Sequence, residues 1–475
     1  MSLHQLLREL LRFDPKAPLL FTGGQFLFWL TLFMPGLALL RRLPHARLLY
    51  LTAFSCFFYY KCSGLLLGAL LFTATADYLI AGRIAQSGSA RARRRWLWLS
   101  IALSGGLLAY FKYAGWLLAS VDWVAPAGIS FYTFESISYV VDVYRGESKP
   151  AKSWLEYLAY LAYFPHLMAG PIMRASQLLP SLRRAPTGSD RASAGLFLLL
   201  SGLFKKAIVA DYLARYADSV FAGGAGLSGL ELLLGVYAYA AQIYCDFAGY
   251  SEMALGLGRI TGVELPVNFN GPYAATSLSD FWRRWHITLS TWLRDYVYVP
   301  LGGNRRGRAR TALNLLLTMA FGGLWHGASL TFLVWGVLHG LLLCAEKSLA
   351  APLGRLRATR AGRACAWLVT FHLVALLWVP FRAGSLTEAA SLLNRIACDF
   401  QLSHALSALQ ARSTLLAALA LGLLLGATSL EPFERWAQRF GRAPLLLQAG
   451  AALATIQLTL ELRSVDVAPF IYFQF

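Results

Sequence analysis

Long apolar runs separated by short polar segments recur along the whole chain. A helix needs roughly 20 mostly apolar residues to cross the hydrocarbon core of a bilayer. The qualifying windows, alone or paired, are about 18–40, 48–60 with 63–82, 97–117, 154–173, 193–210, 228–250, 311–346 (long enough for two passes), 364–381, 412–430 and 444–461. Because no water satisfies backbone groups in the hydrocarbon, an open sheet is excluded there. The pattern predicts an all-α polytopic membrane protein with about ten to twelve transmembrane helices.

The composition and the placement of charge agree with a membrane protein. Hydrophobic residues make up 57% of the 475 and charged residues 14%, whereas a soluble domain has about 25% charged residues. The net charge is +19, and arginines cluster in short loops that should lie on the cytoplasmic side. A nucleic-acid partner would need a folded basic surface, so we expect membrane lipids around the chain and no nucleic acid. The clustered arginines are Arg41, Arg42, Arg47, Arg83, Arg91, Arg93, Arg94, Arg95, Arg305, Arg306, Arg308, Arg310, Arg355, Arg357, Arg360 and Arg363.

The same loops predict the orientation of the chain. Placing 83–95 inside, with 48–60 and 63–82 as a hairpin, puts 41–47 inside as well and both chain ends outside. Residues 383–411 mix charged and apolar side chains. Such a segment is expected to lie as amphipathic helices at the outer surface.

The chain is predicted to form a single membrane domain over 1–475. Residues 1–120 supply N-terminal hydrophobic helices, 121–345 form a motif-bearing core, and 346–475 supply C-terminal helices. The core's apolar windows contain prolines, glycines and ionisable residues, which are tolerated at membrane depth only where they face protein or a water-filled cavity. The core should therefore line a pocket or tunnel. The six cysteines have neither CxxC nor metal-ligand spacing, so no disulfide framework and no metal site are predicted.

The stretch DFWRRWHITLSTWLRDYVYVPLGGN, residues 280–304, is predicted to form one continuous helix. Ser277 followed by Asp280 is a capping-box signature, so the helix should begin near residue 277. Pro300 and the glycines after it should end the helix. Asp280 and Arg284 are four residues apart and can form an ion pair on its surface.

A histidine interrupts the tryptophans and arginines of this stretch. On one helix Trp285 and Trp292 would share a face, and Arg283 and Arg294 would share another. A helix at the membrane surface would explain the tryptophans and arginines. It does not explain His286, since polar groups at depth are costly and usually functional. The residues here that could line a substrate path are Trp282, Trp285, Arg283 and Arg294.

A second histidine lies in GGLWHGASLTFLVWGVLHG, residues 322–340. His326 follows Trp325, another candidate for the substrate path, and precedes small residues that let a group from another helix approach closely. The alternative is a histidine that ties down a backbone carbonyl between helices. His339 lies thirteen residues on, about 20 Å away along a continuous helix, and we interpret it as structural or as lining one mouth of the cavity. His286 and His326 are on different helices and could converge.

An acidic residue ends a long apolar run before this region. Asp246 needs a partner at membrane depth, and Arg283, Arg284 or a histidine could serve. Asp246 is therefore a further candidate for the substrate path. Asn268 and Asn270 lie beside prolines and are interpreted as residues that close turns.

Several motifs together resemble the membrane-bound O-acyltransferase superfamily, and within it the bacterial alginate O-acetyltransferase branch. They follow the family's order over about half of the chain, and the remainder resembles the family mainly in hydropathy. The motifs are GISFYTFESISYVVDVYRG (128–146), FPHLMAGPIMR (164–174), GLFKKAIVAD (202–211), the Asp246 region, the stretches 280–304 and 322–340, and the closing FIYFQF (470–475).

The resemblance implies a fold, a reaction and partners. Tilted helices would ring a thin central region crossed by a tunnel, with His326 as the catalytic histidine and His286 as the second polar position. The chain would lie in the bacterial inner membrane and move an acetyl group outward from a cytoplasmic donor, acetyl-CoA, with no bound cofactor. A periplasmic SGNH or esterase-like acetyltransferase partner, working with the polysaccharide synthesis machinery, would place the acetyl group on an exopolysaccharide such as alginate.

Elementary chemistry assigns roles to the residues within that scheme. His326 as general base would remove the proton of the acceptor hydroxyl, while His286 would orient the acceptor or stabilise the oxyanion. Arg305, Arg306 and Arg308 are candidates for binding the donor phosphates. A direct transfer without an acyl-enzyme is expected, because no serine or cysteine is recognisably paired with a base.

Two other functions stay open on the sequence alone. The related D-alanine transfer proteins of teichoic acid synthesis share the settings of both tryptophan–histidine pairs. A solute transporter could also place polar residues in a membrane helix bundle. Transporters often show internal repeats, and we find none in the sequence.

Overall fold

The computed structural model describes residues 11–15, 17–118, 125–183, 188–401 and 412–462, and within them it is helical without strands. The closing motif 470–475 and the last part of the predicted surface segment, 402–411, lie outside the described residues. The α-helices are Gly24–Leu39, Pro44–Ser63, Leu67–Gln86, Ala90–Leu118, Ile129–Arg145, Trp154–Leu161, Phe164–Leu167, Ala175–Arg183, Ser189–Leu203, Asp211–Phe221, Gly229–Thr261, Leu278–Arg284, Ile287–Leu293, Gly307–His326, Leu330–Ser348, Ala350–Arg357, Arg360–Arg382, Leu386–Cys398, Ser413–Ala427, Leu430–Gly441 and Leu445–Leu462.

The helices include enough long apolar ones for a multi-pass membrane protein. In the described ranges, seven helical stretches could cross a bilayer, or eight if one pair bent by 95° counts as a span. The predicted count of ten to twelve is not confirmed. The spans are Gly24–Arg42, Pro44–Gln86, Ala90–Trp116, Asp190–Phe221, Leu330–Ser348, Arg360–Arg382, Leu445–Leu462 and the bent pair Ser413–Ala427 with Leu430–Gly441.

Four predicted windows depart from this count. The window 311–346, expected to give two passes, contains one candidate span, Leu330–Ser348. The window 154–173 is divided between two short helices, the second of which carries Pro165 in its first turn. The window 228–250 lies in a 33-residue helix whose apolar run is interrupted by polar residues such as Gln242. Where a hairpin was predicted, 44–86 is one candidate span of 43 residues, so the orientation derived from that hairpin stays a prediction.

The chain forms two compact units, the first comprising Met1–Leu199, Ser251–Pro266 and Ala437–Ala443. A buried carboxylate ties three helices of this unit together. Asp77 accepts hydrogen bonds from Ser100 at 2.6 Å, from Ser104 at 3.0 Å and from Ser136. The two serines of Ala90–Leu118 and the one of Ile129–Arg145 thereby satisfy a group that would otherwise be costly to bury.

The FPHLMAGPIMR segment of the first unit is anchored by a buried acid–imidazole pair. Glu135 Oε1 lies 3.0 Å from His166 Nδ1 and accepts the Met173 backbone N–H at 2.8 Å. The other imidazole nitrogen lies 3.1 Å from the Tyr160 carbonyl oxygen. The segment is therefore held to the Ile129–Arg145 helix on both sides of its irregular turn.

The second unit comprises Leu200–Tyr250, Val267–Trp436 and Pro444–Phe475, and it contains a helical hairpin. Gly307–His326 and Leu330–Ser348 cross where glycines allow close approach. A Cβ added at Gly323 would lie 2.3 Å from the Phe332 carbonyl oxygen, and one at Gly336 would lie 2.3 Å from the Met319 carbonyl oxygen. One helix ends at His326 and the next begins at Leu330, so the separation of about 20 Å expected for a continuous helix between His326 and His339 does not apply.

Candidate active site

The predicted helix over 280–304 begins as expected but does not continue. The Ser277 side chain accepts the Asp280 backbone N–H at 3.0 Å, and Arg284 Nε lies 3.0 Å from Asp280 Oδ1, so the cap and the ion pair are confirmed. The helix ends at Arg284 and a new one starts at Ile287. The prediction of one continuous helix, with helical faces shared across it, is wrong.

His286 occupies the break in a left-handed backbone conformation. Among the described residues it is the one non-glycine residue with positive φ, with φ 41° and ψ 54°. This conformation is uncommon outside glycine and costs on the order of 1–3 kcal/mol, so it persists only where surrounding structure holds it.

Two asparagines fix the break from a distant part of the chain. The Asn270 backbone N–H donates to the Arg284 carbonyl oxygen, and the Ile287 N–H donates to the Asn268 carbonyl oxygen, both at 3.0 Å. The Asn268 side-chain oxygen also accepts Thr288 Oγ1–H at 2.6 Å. The asparagines do more than close a turn: they bracket His286.

The two histidines converge on one tryptophan. The Trp325 ring centroid lies 6.0 Å from that of His286 and 5.0 Å from that of His326. His326 is the last residue of its helix, directly before the turn of the hairpin. A helix break and a helix end thus bring the two imidazoles against the same indole.

Aromatic rings enclose both imidazoles. Phe247 lies 4.6 Å from His286, centroid to centroid, while Trp335 and Phe381 each lie 5.1 Å from His326. The histidines are 1% and 4% exposed. As predicted, His286 and His326 converge: both imidazoles lie against Trp325 in an apolar setting.

Burial limits the role that the His286 ring can play. Residue 286 lies outside the candidate membrane spans, and burial lowers the pKa of His286 to about 3. Its imidazole is neutral at physiological pH and a poor proton acceptor, because a general base works best with a pKa near the operating pH. A neutral imidazole can still donate or accept one hydrogen bond at each nitrogen, which suits orientation of a bound group.

The other tryptophan candidates also belong to this aromatic region, but the arginine candidates do not. Trp285 lies 5.0 Å from Trp378 and is 1% exposed, and Trp282 lies 5.1 Å from His339. The Arg283 and Arg294 side chains are 72% and 62% exposed. The structure therefore does not bring these two arginines to the histidines.

Asp246 has a partner that the sequence analysis did not name. Lys206 Nζ lies 2.6 Å from Asp246 Oδ1 and 2.7 Å from Asp211 Oδ1, with the lysine side chain 5% exposed. Lys206 is added to the residues first considered as partners, which were Arg283, Arg284 or a histidine. Lys206 lies inside an apolar window, and a lysine there requires an acidic partner, so the signal was present in GLFKKAIVAD.

The lysine reaches its partners through a local change of helix type. Residues Phe204–Ala210 form a π-helical turn, a feature that often marks functional sites. A Cβ added at Gly249 would lie 2.7 Å from the Gly202 carbonyl oxygen and 3.0 Å from the Lys206 nitrogen. Asp246, which Lys206 contacts, directly precedes Phe247, and Phe247 contacts His286.

The three arginines expected to bind donor phosphates lie at the other end of the His326 helix. Arg305, Arg306 and Arg308 are exposed around its first turn. Its 20 residues separate them from His326 by about 30 Å at 1.5 Å per residue. A donor held by these arginines would have to extend along the whole helix to reach the imidazole.

Comparison with known proteins places the chain in a family. The profile of MBOAT, the membrane-bound O-acyltransferase family, matches residues 150–379. The probable alginate O-acetylase AlgI of Pseudomonas aeruginosa is 41% identical over 78% of this chain and 73% of its own length, and that of Pseudomonas putida is 36% identical over 96% and 100%. The peptidoglycan O-acetyltransferase of Helicobacter pylori is 35% identical over 73% of each chain. This chain belongs to the membrane-bound O-acyltransferase family and is a multi-pass membrane O-acyltransferase.

Proposed function

We propose that this protein moves an acetyl group from cytoplasmic acetyl-CoA across the inner membrane for the O-acetylation of an exopolysaccharide such as alginate. The observation that carries the proposal is the convergence of the buried His286 and His326 on Trp325. The names of relatives at 35–41% identity, which specify O-acetylation of alginate and of peptidoglycan, favour an acetyl group and a polysaccharide.

His326 is the base in the proposed step. Its imidazole takes the proton of the acceptor hydroxyl as the oxygen attacks the thioester carbonyl carbon, a role worth about 10² to 10⁴ in rate. The new C–O bond forms, the C–S bond breaks, and the proton passes from His326 to the leaving thiolate. His286, which is neutral and buried, orients the acceptor or the carbonyl group.

The donor and the acceptor would reach this step from opposite sides. Arg305, Arg306 and Arg308 would bind the donor phosphates on the cytoplasmic side, so that only the acyl end extends to His326. On the other side, a periplasmic SGNH or esterase-like acetyltransferase partner would receive the acetyl group and pass it to the polymer. Direct transfer is favoured over an acyl-enzyme, because the sequence pairs no serine or cysteine recognisably with a base.

The proposal is tested in cells in which the gene is deleted and then restored. Ester-bound acetate and D-alanine are both measured on secreted and envelope polymers. We expect acetate to be lost on deletion and restored with the gene, while D-alanine is unchanged. Loss of D-alanine with unchanged acetate would contradict acetyl transfer and support the D-alanyl alternative.

The hydrogen bonds of Asn268 and Asn270 on either side of His286 give a first prediction. Asn268→Ala removes the acceptor of the Thr288 hydroxyl and loosens the backbone that holds the left-handed residue. We expect about a tenfold lower acetylation rate at normal protein level, since small misplacements of catalytic groups have large effects. Polymer-bound acetate is compared with that of Asn394→Ala, which changes an exposed asparagine. A wild-type rate for Asn268→Ala would show that the hydrogen bonds of the Asn268 side chain are not needed for acetyl transfer.

A further inference from the structure

Two buried N–H groups near His326 have no assigned role. Trp335 is 1% exposed and His339 is 0% exposed. Among the residues that the structure describes, Trp335 Nε1 and His339 Nε2 have no hydrogen-bond partner. Leaving a buried polar group unsatisfied costs about 1–3 kcal/mol, and such groups are rare in native proteins. Two of them on adjacent rings are therefore available to hydrogen-bond a bound group.

The hydrogen-bonding pattern identifies both atoms as donors. An indole Nε1 always carries hydrogen. The Trp282 indole N–H donates to His339 Nδ1 at 3.4 Å, so Nδ1 is the acceptor of the imidazole. A neutral imidazole with Nδ1 as acceptor carries its hydrogen on Nε2.

One donor ring, that of Trp335, contacts the proposed base, and the other, that of His339, contacts Trp335. The Trp335 ring centroid lies 5.1 Å from that of His326 and 4.8 Å from that of His339, so one indole contacts both imidazoles. The other rings around this group offer no acceptor atom, because Phe281 and Phe381 have no polar atom and the indoles of Trp282 and Trp378 are donors only.

Glu346, the acidic residue on the helix of Trp335 and His339, already accepts hydrogen bonds from another helix. The Glu346 carboxylate accepts the backbone N–H groups of Leu278 at 2.7 Å and Ser279 at 3.4 Å, where it caps the Leu278–Arg284 helix. It thereby fixes the helix that carries Trp282, and so the donor to His339.

We propose that Trp335 Nε1–H and His339 Nε2–H bind the carbonyl oxygen of the acyl group during transfer. When the acceptor oxygen adds to the carbonyl carbon, the electron pair of the C=O bond moves onto that oxygen, and the two N–H groups stabilise the negative charge. The pair returns as the thiolate leaves. The inference rests on the proposed function for the placement of His326. It assigns a catalytic role to His339, which the sequence analysis interpreted as structural or cavity-lining.

Stabilisation of the oxyanion by these two N–H groups has its largest effect where water is excluded, as in this buried aromatic cluster. Donors that are already oriented toward a developing charge need no reorganisation, and removal of one such donor typically lowers kcat by about 10²- to 10³-fold. A neutral carbonyl gains less from them than the oxyanion does. Loss of a donor should therefore lower kcat with little change in KM.

The test uses variants of the full chain in membranes at matched protein levels. Trp335→Phe and His339→Phe each remove one donor and keep a ring, His339→Gln restores an N–H donor, and Trp282→Phe removes the group that fixes the tautomer. Acetyl transfer from acetyl-CoA is measured over a range of donor concentrations. The matched control is Trp367→Phe, since that indole N–H already donates to the Tyr273 carbonyl oxygen at 2.7 Å.

We expect kcat about 10²-fold lower for Trp335→Phe and His339→Phe, with KM within threefold, partial recovery in His339→Gln and an intermediate loss in Trp282→Phe. Trp367→Phe should stay within threefold of wild type. A loss below tenfold in Trp335→Phe or His339→Phe, or a loss confined to KM, would overturn the inference. A wild-type chain that transfers no acetate would instead contradict the proposed function, and the same variants would then be compared on the acyl group that the wild type does transfer.

Discussion

Replacing His326 with alanine is expected to lower the rate of acetyl transfer by about 10² to 10⁴ without loss of the protein from the membrane. The imidazole is 4% exposed and contacts the aromatic rings of Trp325, Trp335 and Phe381. Alanine removes the proton acceptor and leaves the backbone of the hairpin unchanged. The measurement is polymer-bound acetate per amount of membrane protein.

A histidine outside this cluster provides the control. His372 Nδ1 lies 2.7 Å from the Leu368 carbonyl oxygen of its own helix, and its replacement by alanine removes an imidazole of the same unit. We expect the His372→Ala chain to keep acetylation within about twofold of wild type, as for most substitutions away from a site. Equal rates of acetyl transfer for His326→Ala and wild type would show that His326 is not the general base of the proposed step.

Replacing Lys206 with methionine is expected to destabilise the protein by about 3–5 kcal/mol, because it leaves buried acids uncompensated. Asp246 lies 2.6 Å and Asp211 2.7 Å from the lysine Nζ. The expected result is a lower thermal unfolding temperature of the purified chain in detergent and less protein in the membrane. Adding Asp246→Asn to Lys206→Met should recover part of the loss, since one of the two acids is then neutral.

An exposed ion pair of the same unit serves as the matched comparison. Arg382 pairs with Asp218 at 2.8 Å, with the two side chains 28% and 54% exposed. Arg382→Met should cost no more than about 1 kcal/mol. An unfolding temperature for Lys206→Met equal to that for Arg382→Met would contradict a stabilising role for the buried triad.

The features predicted correctly from sequence are those set by neighbours along the chain. The cap at Ser277 and the pair of Asp280 with Arg284 involve residues three and four apart. Most of the apolar windows likewise coincide with helices that could cross a bilayer, since length and hydropathy alone decide whether a helix can do so. His286 and His326 stood out because a polar ring within apolar sequence needs a reason.

The features that were missed depend on contacts between distant residues. Helix propensity favours continuation through Trp285. Backbone hydrogen bonds with Asn268, which accepts, and Asn270, which donates, hold His286 in a left-handed conformation and end the helix there. Lys206 and Asp246 are forty positions apart, and a π-helical turn with a glycine contact joins them. No local pattern encodes such pairings, so tertiary packing decides them.

The central claim is that His286 and His326 act as one catalytic centre, and a double-mutant cycle tests it most directly. Transfer rates are measured for His286→Ala, His326→Ala and the double variant at matched protein levels. Residues that act in one step give losses far from additive in free energy, so we predict that the double variant is no slower than His326→Ala alone. If the two losses multiply in the double variant, the histidines act independently and the account of a single centre is contradicted.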